Sequence, residues 1–152
     1  MKTQFTHTFY MKMAIKEAQK AALENEVPVG AIITYKDEII STGKNQREQS
    51  NNALHHAEIE AIYSACKKLN RWRLTECNLY VTLEPCPMCA GAIINSRIKN
   101  LIYGASDYKS GSCKSVINLF DLPYNHKPNV ISGVLESECS NLLSDFFKKL
   151  RK

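Results

Sequence analysis

Residues 78–96 read NLYVTLEPCPMCAGAIINS. Residues 78–83 are mostly apolar or β-branched, which predicts a buried strand. A helix is predicted to follow from Pro85 to about Ser96, because proline is tolerated in the first turn of a helix. Cys86 and Cys89 therefore lie where a strand ends and a helix begins, and this junction is the unit around which the rest of the fold is predicted.

The flanking sequence continues the alternation of strands and helices. Upstream, alanines repeat at helical spacing over about 56–69, and a hairpin of strands is predicted at 29–33 and 38–41. The other predicted elements are strands at 101–103 and 130–135, helices at about 6–23 and 137–150, a short helix at 116–120 and a polar loop at 43–54. Strands that alternate with helices predict an α/β fold whose sheet is mostly parallel after the first hairpin.

The length of the chain predicts a single domain spanning residues 1–152, because two ordinary domains need a longer chain. No stretch approaches the roughly 20 apolar residues of a membrane helix, and the start of the chain lacks the apolar run of a secretion signal. We therefore expect a cytoplasmic protein that has no membrane association. In a reducing cytosol, the six cysteines are interpreted as metal ligands or buried thiols in preference to disulfides.

Basic residues exceed acidic residues by 20 to 15, for a formal net charge of +5. Such an excess favours polyanionic partners, but clustering indicates a nucleic-acid interface better than the total does. The clearest cluster lies at the C-terminus, where Lys148, Lys149, Arg151 and Lys152 end the last predicted helix. These side chains are predicted either to contact phosphate groups or to form a solvated face.

Two short motifs carry the predicted chemistry, His56-Ala57-Glu58 and Pro85-Cys86-Pro87-Met88-Cys89, and each begins a helix. A helix N-terminus favours thiolates over thiols. Three-residue spacing places the sulfurs of Cys86 and Cys89 on one helix face, where they can share a metal ion, and His56 offers a third ligand. Three protein ligands leave one zinc position open to water, which is typical of catalytic sites. With Glu58 placed to move protons, these groups suffice for hydrolytic deamination.

Each motif alone also has a plainer interpretation. Cys86 and Cys89 would suit a redox dithiol or two buried thiols, and Glu58 would suit a carboxylate stabilised by the helix dipole. His55 could replace His56 as the ligand, although only His56 keeps the H-x-E spacing. The two motifs together, in this order and each at a helix start, favour the metal site over these alternatives.

The pattern H-x-E followed by P-C-x-x-C resembles the zinc-dependent cytidine-deaminase superfamily and, within it, the bacterial tRNA adenosine deaminases. The resemblance extends over nearly the whole chain. Beyond the two motifs it rests on residues 26–30 (EVPVG), 43–45 (GKN), 72–74 (WRL), 79–86 (LYVTLEPC), 88–92 (MCAGA), 96–98 (SRI), 104–111 (GASDYKSG), 125–126 (NH) and 144–147 (SDFF).

This resemblance implies a cytidine deaminase-like fold, a three-layer α/β/α sandwich around a five-stranded mixed sheet. The residues it implies are His56, Cys86 and Cys89 as ligands of one Zn²⁺ per subunit, Glu58 as the catalytic proton shuttle, and Asn45, Asp107 and Lys109 as substrate contacts. Asn45 would hydrogen-bond the flipped base, whereas the other two would lie near the RNA backbone with the last helix. The implied reaction converts the wobble adenosine of a tRNA anticodon loop to inosine and releases ammonia, in a homodimer whose partner helps to form the RNA site.

Residues 52–55 depart from the family pattern. Where these enzymes usually read Asp-Pro-Thr-Ala before the zinc histidine, this chain has Asn52-Ala53-Leu54-His55. The change removes a rigidifying proline and places a second imidazole beside His56. We expect it to alter the pocket wall and therefore the base preference.

Two other functions are considered. The first is deamination of a free nucleobase or nucleoside such as guanine, cytosine or cytidine, against which the basic C-terminal helix argues. The second is a non-catalytic, zinc-stabilised RNA-binding module, which would leave Glu58 without a role and the zinc shell incomplete.

Overall fold

The computed structural model describes residues 4–151 and shows one sheet flanked by helices. The elements in chain order are helix α1 (Gln4–Leu23), strands β1 (Gly30–Tyr35) and β2 (Glu38–Lys44), helix α2 (Arg47–Ser50), helix α3 (Ala57–Leu69), strand β3 (Cys77–Leu83), helix α4 (Pro87–Ser96), strand β4 (Asn100–Ala105), a 3₁₀ helix (Leu119–Asp121), strand β5 (Asn129–Ile131) and helix α5 (Glu136–Leu150). Residues 1–3 of the predicted domain and Lys152 of the predicted basic cluster lie outside the described residues. Within residues 4–151, none of the helices has the length and hydrophobicity required to cross a bilayer.

The strands form a single mixed sheet in the order β2-β1-β3-β4-β5. β1 is antiparallel to both β2 and β3, whereas β3 is parallel to β4 and β4 is parallel to β5. The predicted five-stranded mixed sheet is thereby confirmed. Because ligands in open α/β sheets bind beyond the carboxyl ends of parallel strands, the segments that follow β3 and β4 are placed to form a site.

Alternate residues of the strands face two helix layers. Leu79 and Val81 of β3 pack in a cluster with α3 and α4, whereas Tyr80 between them packs in a cluster with α1 and α5. Both faces of β3 are therefore buried, which accounts for its nearly continuous apolar sequence. This packing confirms the three-layer α/β/α sandwich.

The strand predicted at 130–135 is wrong beyond Ile131, where β5 ends. Gly133 and Leu135 have φ angles of 80° and 54°, which a strand does not accommodate. Leu135 instead serves as the N-cap residue of α5. Val134 lies in the core between α1, α5 and the sheet, so its apolar character reflects packing and not strand pairing.

Two short segments also differ from prediction. The helix predicted at 116–120 is a 3₁₀ helix at Leu119–Asp121, where the side chain of Asn118 accepts a hydrogen bond from the Phe120 N–H at 3.1 Å. Part of the predicted polar loop at 43–54 forms helix α2. Helices of about one turn contain too few residues for apolar periodicity to reveal them.

Helices α3 and α4 begin later than predicted, by one and two residues. His56 and Cys86 are their N-cap residues, with extended backbone ψ angles of 158° and 176°. Pro87 explains the second case, because a proline disfavours helical backbone at the residue before it. Both side chains therefore lie at the positive ends of helix dipoles.

Candidate active site

The N-terminal ends of α3 and α4 bring together one imidazole and two thiols. His56 Nδ1 lies 3.6 Å from Cys86 Sγ and 3.5 Å from Cys89 Sγ, and the three ligand atoms all lie within 4.8 Å of one another. Tetrahedral zinc, with bonds of about 2.0–2.1 Å to nitrogen and 2.3 Å to sulfur, would separate the nitrogen from each sulfur by about 3.5 Å. The donor atoms and their spacing therefore fit a zinc ion. Across residues 4–151 this is the one grouping of its kind.

We call the three side chains of His56, Cys86 and Cys89 the metal cluster. Its two thiols differ in acidity. Hydrogen bonds from Cys89 and His56 together lower the pKa of Cys86 to about 4, although burial opposes the shift. The same contact with Cys86, together with burial, raises the pKa of Cys89. One thiolate is thus present before a metal binds, and metal binding would release the remaining thiol proton.

His55 takes no part in the metal cluster. Its Nδ1 lies 2.8 Å from Ser50 Oγ and its Nε2 lies 3.3 Å from Glu60 Oε2. The second imidazole therefore ties α2 to α3, and it is His56 whose ring faces the cysteines.

Glu58 lies in the first turn of α3, two residues beyond His56, and is only 4% exposed. Burial raises the pKa of Glu58 to about 7, although hydrogen bonds and the His56 charge oppose the shift. A carboxyl group with a pKa near neutrality can both accept and donate a proton. This property suits a group that moves protons during a reaction.

A close backbone contact positions the first turn of α3. Gly43 of β2 packs directly against this turn, and a Cβ atom at Gly43 would overlap the carbonyl oxygen of Ala57. The sheet therefore holds α3 at a distance that only glycine allows. Because Ala57 lies between His56 and Glu58, this contact also sets the position of both side chains.

A cavity of about 150 Å³ lies beside the metal cluster. Its lining residues are Val27, Val29, Asn45, Arg47, His56, Ala57, Glu58, Leu83, Glu84, Cys86, Asp107 and Ser110. The volume is well below that of pockets for drug-sized ligands, so the cavity suits a single heterocycle. Apolar walls beside a few polar groups are typical of sites that bind flat rings.

Asn45 and Asp107 lie at this cavity, as the predicted substrate contacts would. Asn45 donates from Nδ2 to the Val27 carbonyl at 3.2 Å and accepts at Oδ1 from the Arg47 N–H at 3.3 Å. Its amide retains one N–H and one lone pair for a ligand. Asp107 Oδ1 accepts from the backbone N–H groups of Lys109 and Ser110 at 3.1 and 3.3 Å.

Lys109 lies elsewhere. It lines a separate groove of about 530 Å³ together with Ser144, Phe147, Lys148, Leu150 and Arg151. We call this the C-terminal groove. The structure therefore divides the three predicted substrate contacts between a cavity at the metal cluster and a basic surface on α5.

Three residues at or near the cavity received no role in the sequence analysis. Arg47 is exposed and lines the cavity. Glu26 is buried and accepts hydrogen bonds from the N–H groups of Glu48 and Gln49 at 3.1 and 2.7 Å, which holds α2. Glu84 is equally buried, and hydrogen bonds from Ser115, Asp107 and Cys113 lower its pKa although burial opposes the shift. Both glutamates lie in stretches quoted for the family resemblance, but no periodicity marks them as buried.

Comparison with known proteins connects this geometry to a family. Residues 5–151 match the model of the MafB19-like deaminases. The chain is 50% identical over 144 residues to a tRNA-specific adenosine deaminase of Bacillus subtilis (strain 168), an alignment that covers 94% of this chain and 89% of that protein.

Solved structures extend the comparison to the fold. One from a study of A-to-I editing by tRNA:A34 deaminases at the wobble position of transfer RNA superposes with a TM-score of 0.87 at 42% identity, covering 90% of this chain and 99% of that one. A guanine deaminase from Nitrosomonas europaea superposes with a TM-score of 0.80 at 22% identity, covering 91% and 83% of the two chains. At that identity the second likeness shows the fold alone. Sequence identity and fold together place the chain, within the MafB19-like deaminases, in the family of tRNA-specific adenosine deaminases.

Proposed function

We propose that this chain hydrolyses the wobble adenosine of a tRNA anticodon to inosine and ammonia, using one Zn²⁺ per subunit held by His56, Cys86 and Cys89. The observation that supports this proposal most directly is the metal cluster beside buried Glu58, in a cavity of single-heterocycle size. The 50% identity to a tRNA-specific adenosine deaminase selects adenosine in tRNA over a free base.

The chemistry divides between the metal and Glu58. When bound, zinc acts as a Lewis acid that makes water nucleophilic near neutral pH. The Glu58 carboxylate accepts a proton from the attacking water and donates it to N1 of adenine. Glu58 then transfers the second water proton to the exocyclic amine, so that ammonia leaves from C6 and the water oxygen remains there as the carbonyl oxygen of inosine.

The cavity walls orient the base. An adenine in a loop must be unstacked and flipped to reach a buried site. Val27, Val29 and Leu83 provide apolar contact for its faces, and the unused N–H of Asn45 is placed to hydrogen-bond its edge. A base that fills the cavity displaces water from it, which strengthens these polar contacts.

The C-terminal groove is proposed to contact the RNA backbone. Lys109, Lys148 and Arg151 line it around the half-exposed ring of Phe147. Cations attract phosphate groups, and an exposed aromatic ring can stack on an unpaired base. We expect these contacts to supply affinity and not chemistry.

We further propose that the protein acts as a cytoplasmic homodimer. Large apolar side chains remain exposed on or beside the α3 and α4 layer, namely Leu54, Tyr63, Val116, Ile117 and Leu122. Exposed apolar patches are typical of protein interfaces, although other exposed apolar side chains lie on α1, β5 and α5. The cytoplasm contains the tRNA and keeps zinc-binding thiols reduced. A monomeric mass by light scattering at micromolar concentration would contradict the dimer.

The deciding experiment compares substrates. Purified protein is incubated with an anticodon stem-loop that carries adenosine at the wobble position, with the same stem-loop carrying its adenosine at the neighbouring loop position, and with free guanine, cytosine and cytidine. We expect inosine and ammonia from the first substrate alone. Product from the free bases alone would overturn the proposed function.

A further inference from the structure

Glu84 occupies the junction between β3 and the start of α4, two residues before Cys86, and is 2% exposed. Its Oε2 accepts hydrogen bonds from three consecutive backbone N–H groups, those of Cys113, Lys114 and Ser115, at 3.1, 2.9 and 2.9 Å. Its Oε1 accepts from the Asp107 N–H at 3.0 Å and from Ser115 Oγ at 2.5 Å. All of these donors belong to residues 107–115, which we call the 107–115 loop.

The 107–115 loop forms part of the cavity wall, to which it contributes Asp107 and Ser110. It contains no helix or strand, so its backbone N–H groups depend on partners outside regular structure. The loop wraps closely around the carboxylate, since a Cβ atom at Gly111 would overlap the Glu84 carboxyl group. The position of this wall is therefore tied to a residue adjacent to the end of α4 that carries Cys86 and Cys89.

Glu84 also borders the cavity, but its oxygens are already engaged. A carboxylate has about four lone-pair sites, and five donors point at this one. It has no acceptor capacity left for a substrate. Any influence of Glu84 on the reaction must therefore act through the loop that it holds.

We propose that Glu84 is a positioning residue that fixes the 107–115 loop relative to the metal cluster, and thereby sets the width of the base-binding cavity. This inference rests on the proposed function for its effect on substrate, but the loop contact itself does not. A wall that moves away from the metal cluster weakens contact with the flipped base before it affects proton transfer at Glu58. The signature is a rise in KM that exceeds any change in kcat.

The test uses Glu84→Gln, Ser115→Ala and, as a matched control, Glu38→Gln. Glutamine keeps the size of the side chain but turns an NH₂ group toward backbone donors. Loss of charge-assisted hydrogen bonds is expected to raise KM for the anticodon stem-loop by about 10- to 100-fold. Ser115→Ala removes one hydrogen bond to Glu84 and is expected to raise KM by about 2- to 10-fold. In the Glu84→Gln background, the same substitution should raise KM by a smaller factor, because the two residues share that contact. Glu38 is exposed on β2 and lies outside both the cavity lining and the loop, so its variant should match the wild type.

Three readouts keep the outcomes distinct: kcat and KM, metal content, and hydrogen exchange of the amides of residues 113–115. Faster exchange with a raised KM and retained metal supports the proposal. Unchanged exchange or unchanged KM overturns it, and so does loss of metal from Glu84→Gln, which would assign Glu84 to the metal site. If Glu84→Gln does not fold, KM and exchange in Ser115→Ala decide the matter. If the wild type converts no stem-loop, the proposed function fails, and exchange alone still decides whether Glu84 holds the loop.

Discussion

The metal cluster and the C-terminal groove present opposite kinds of surface. At the cluster, Cys89 and Glu58 are buried, and backbone contacts such as that of Gly43 with Ala57 hold the helix ends in place. In the groove, Phe147 is 44% exposed and the cations of α5 project into solvent. Catalysis is sensitive to small displacements of the reacting groups, whereas attraction to a polyanion depends on the summed charge of a surface. Substitutions should therefore have steep effects at the cluster and graded, salt-dependent effects in the groove.

The steepest test removes a proposed metal ligand. His56→Ala is expected to abolish both zinc binding and inosine formation, because two thiols alone provide an incomplete site. Metal analysis and a single-turnover assay with the anticodon stem-loop measure the two effects. His55→Ala is the matched control, since His55 contacts Ser50 and Glu60 instead of the cysteines. Full metal content in His56→Ala would remove His56 from the ligand set.

Glu58→Gln separates proton transfer from metal binding. The variant should retain zinc and lose about 10²- to 10⁴-fold in kcat, the usual contribution of general acid–base catalysis. Glu60→Gln is the matched control. Glu60 lies on the same helix but does not line the cavity, so its variant should change kcat little. Near wild-type turnover by Glu58→Gln would reject its assignment as the proton shuttle.

Gly43→Ala tests whether backbone packing holds the cluster. The added Cβ overlaps the Ala57 carbonyl oxygen, so the first turn of α3 must shift. Overpacking of this kind costs about 1–3 kcal/mol in unfolding free energy, and we also expect weaker zinc binding. Gly91→Ala is a control for which a gain in stability is expected. Gly91 lies in the interior of α4, and a Cβ atom there would have no neighbour within 4 Å, so alanine should stabilise the helix by about 0.5–1 kcal/mol. Urea denaturation of both variants checks the opposite signs.

The smallest effects are expected in the C-terminal groove. A Lys148→Ala, Arg151→Ala double variant should raise KM by less than about tenfold at moderate salt and leave kcat unchanged. The slope of log KM against log salt concentration should fall by about 0.7–0.9 for each phosphate group that the variant no longer neutralises. Lys68→Ala, at the far end of α3 from the metal cluster, controls for the removal of positive charge. An unchanged salt slope would show that α5 presents only a solvated face.

The sequence predicted the fold class well because β3 is a nearly continuous apolar run and α3 repeats its alanines at helical spacing. β3 and α3 appear within a residue of their predicted bounds, and the resemblance to tRNA adenosine deaminases is confirmed by the comparisons. The prediction was wrong at 132–135, where Val134 belongs to no strand and is apolar because it packs between α1, α5 and the sheet. It also missed α2, whose single turn depends on the distant carboxylate of Glu26.

By itself the sequence determined which donor atoms are available and that both motifs stand at helix starts, because residue spacing and helix geometry are local properties. Only the tertiary structure decided that His56 and not His55 faces the thiols, that Lys109 lies in a groove apart from Asp107, and that Glu84 holds the 107–115 loop. Each of these depends on contacts between groups far apart in the chain or on the direction of a side chain. Packing sets such contacts, and no local pattern of residues encodes them.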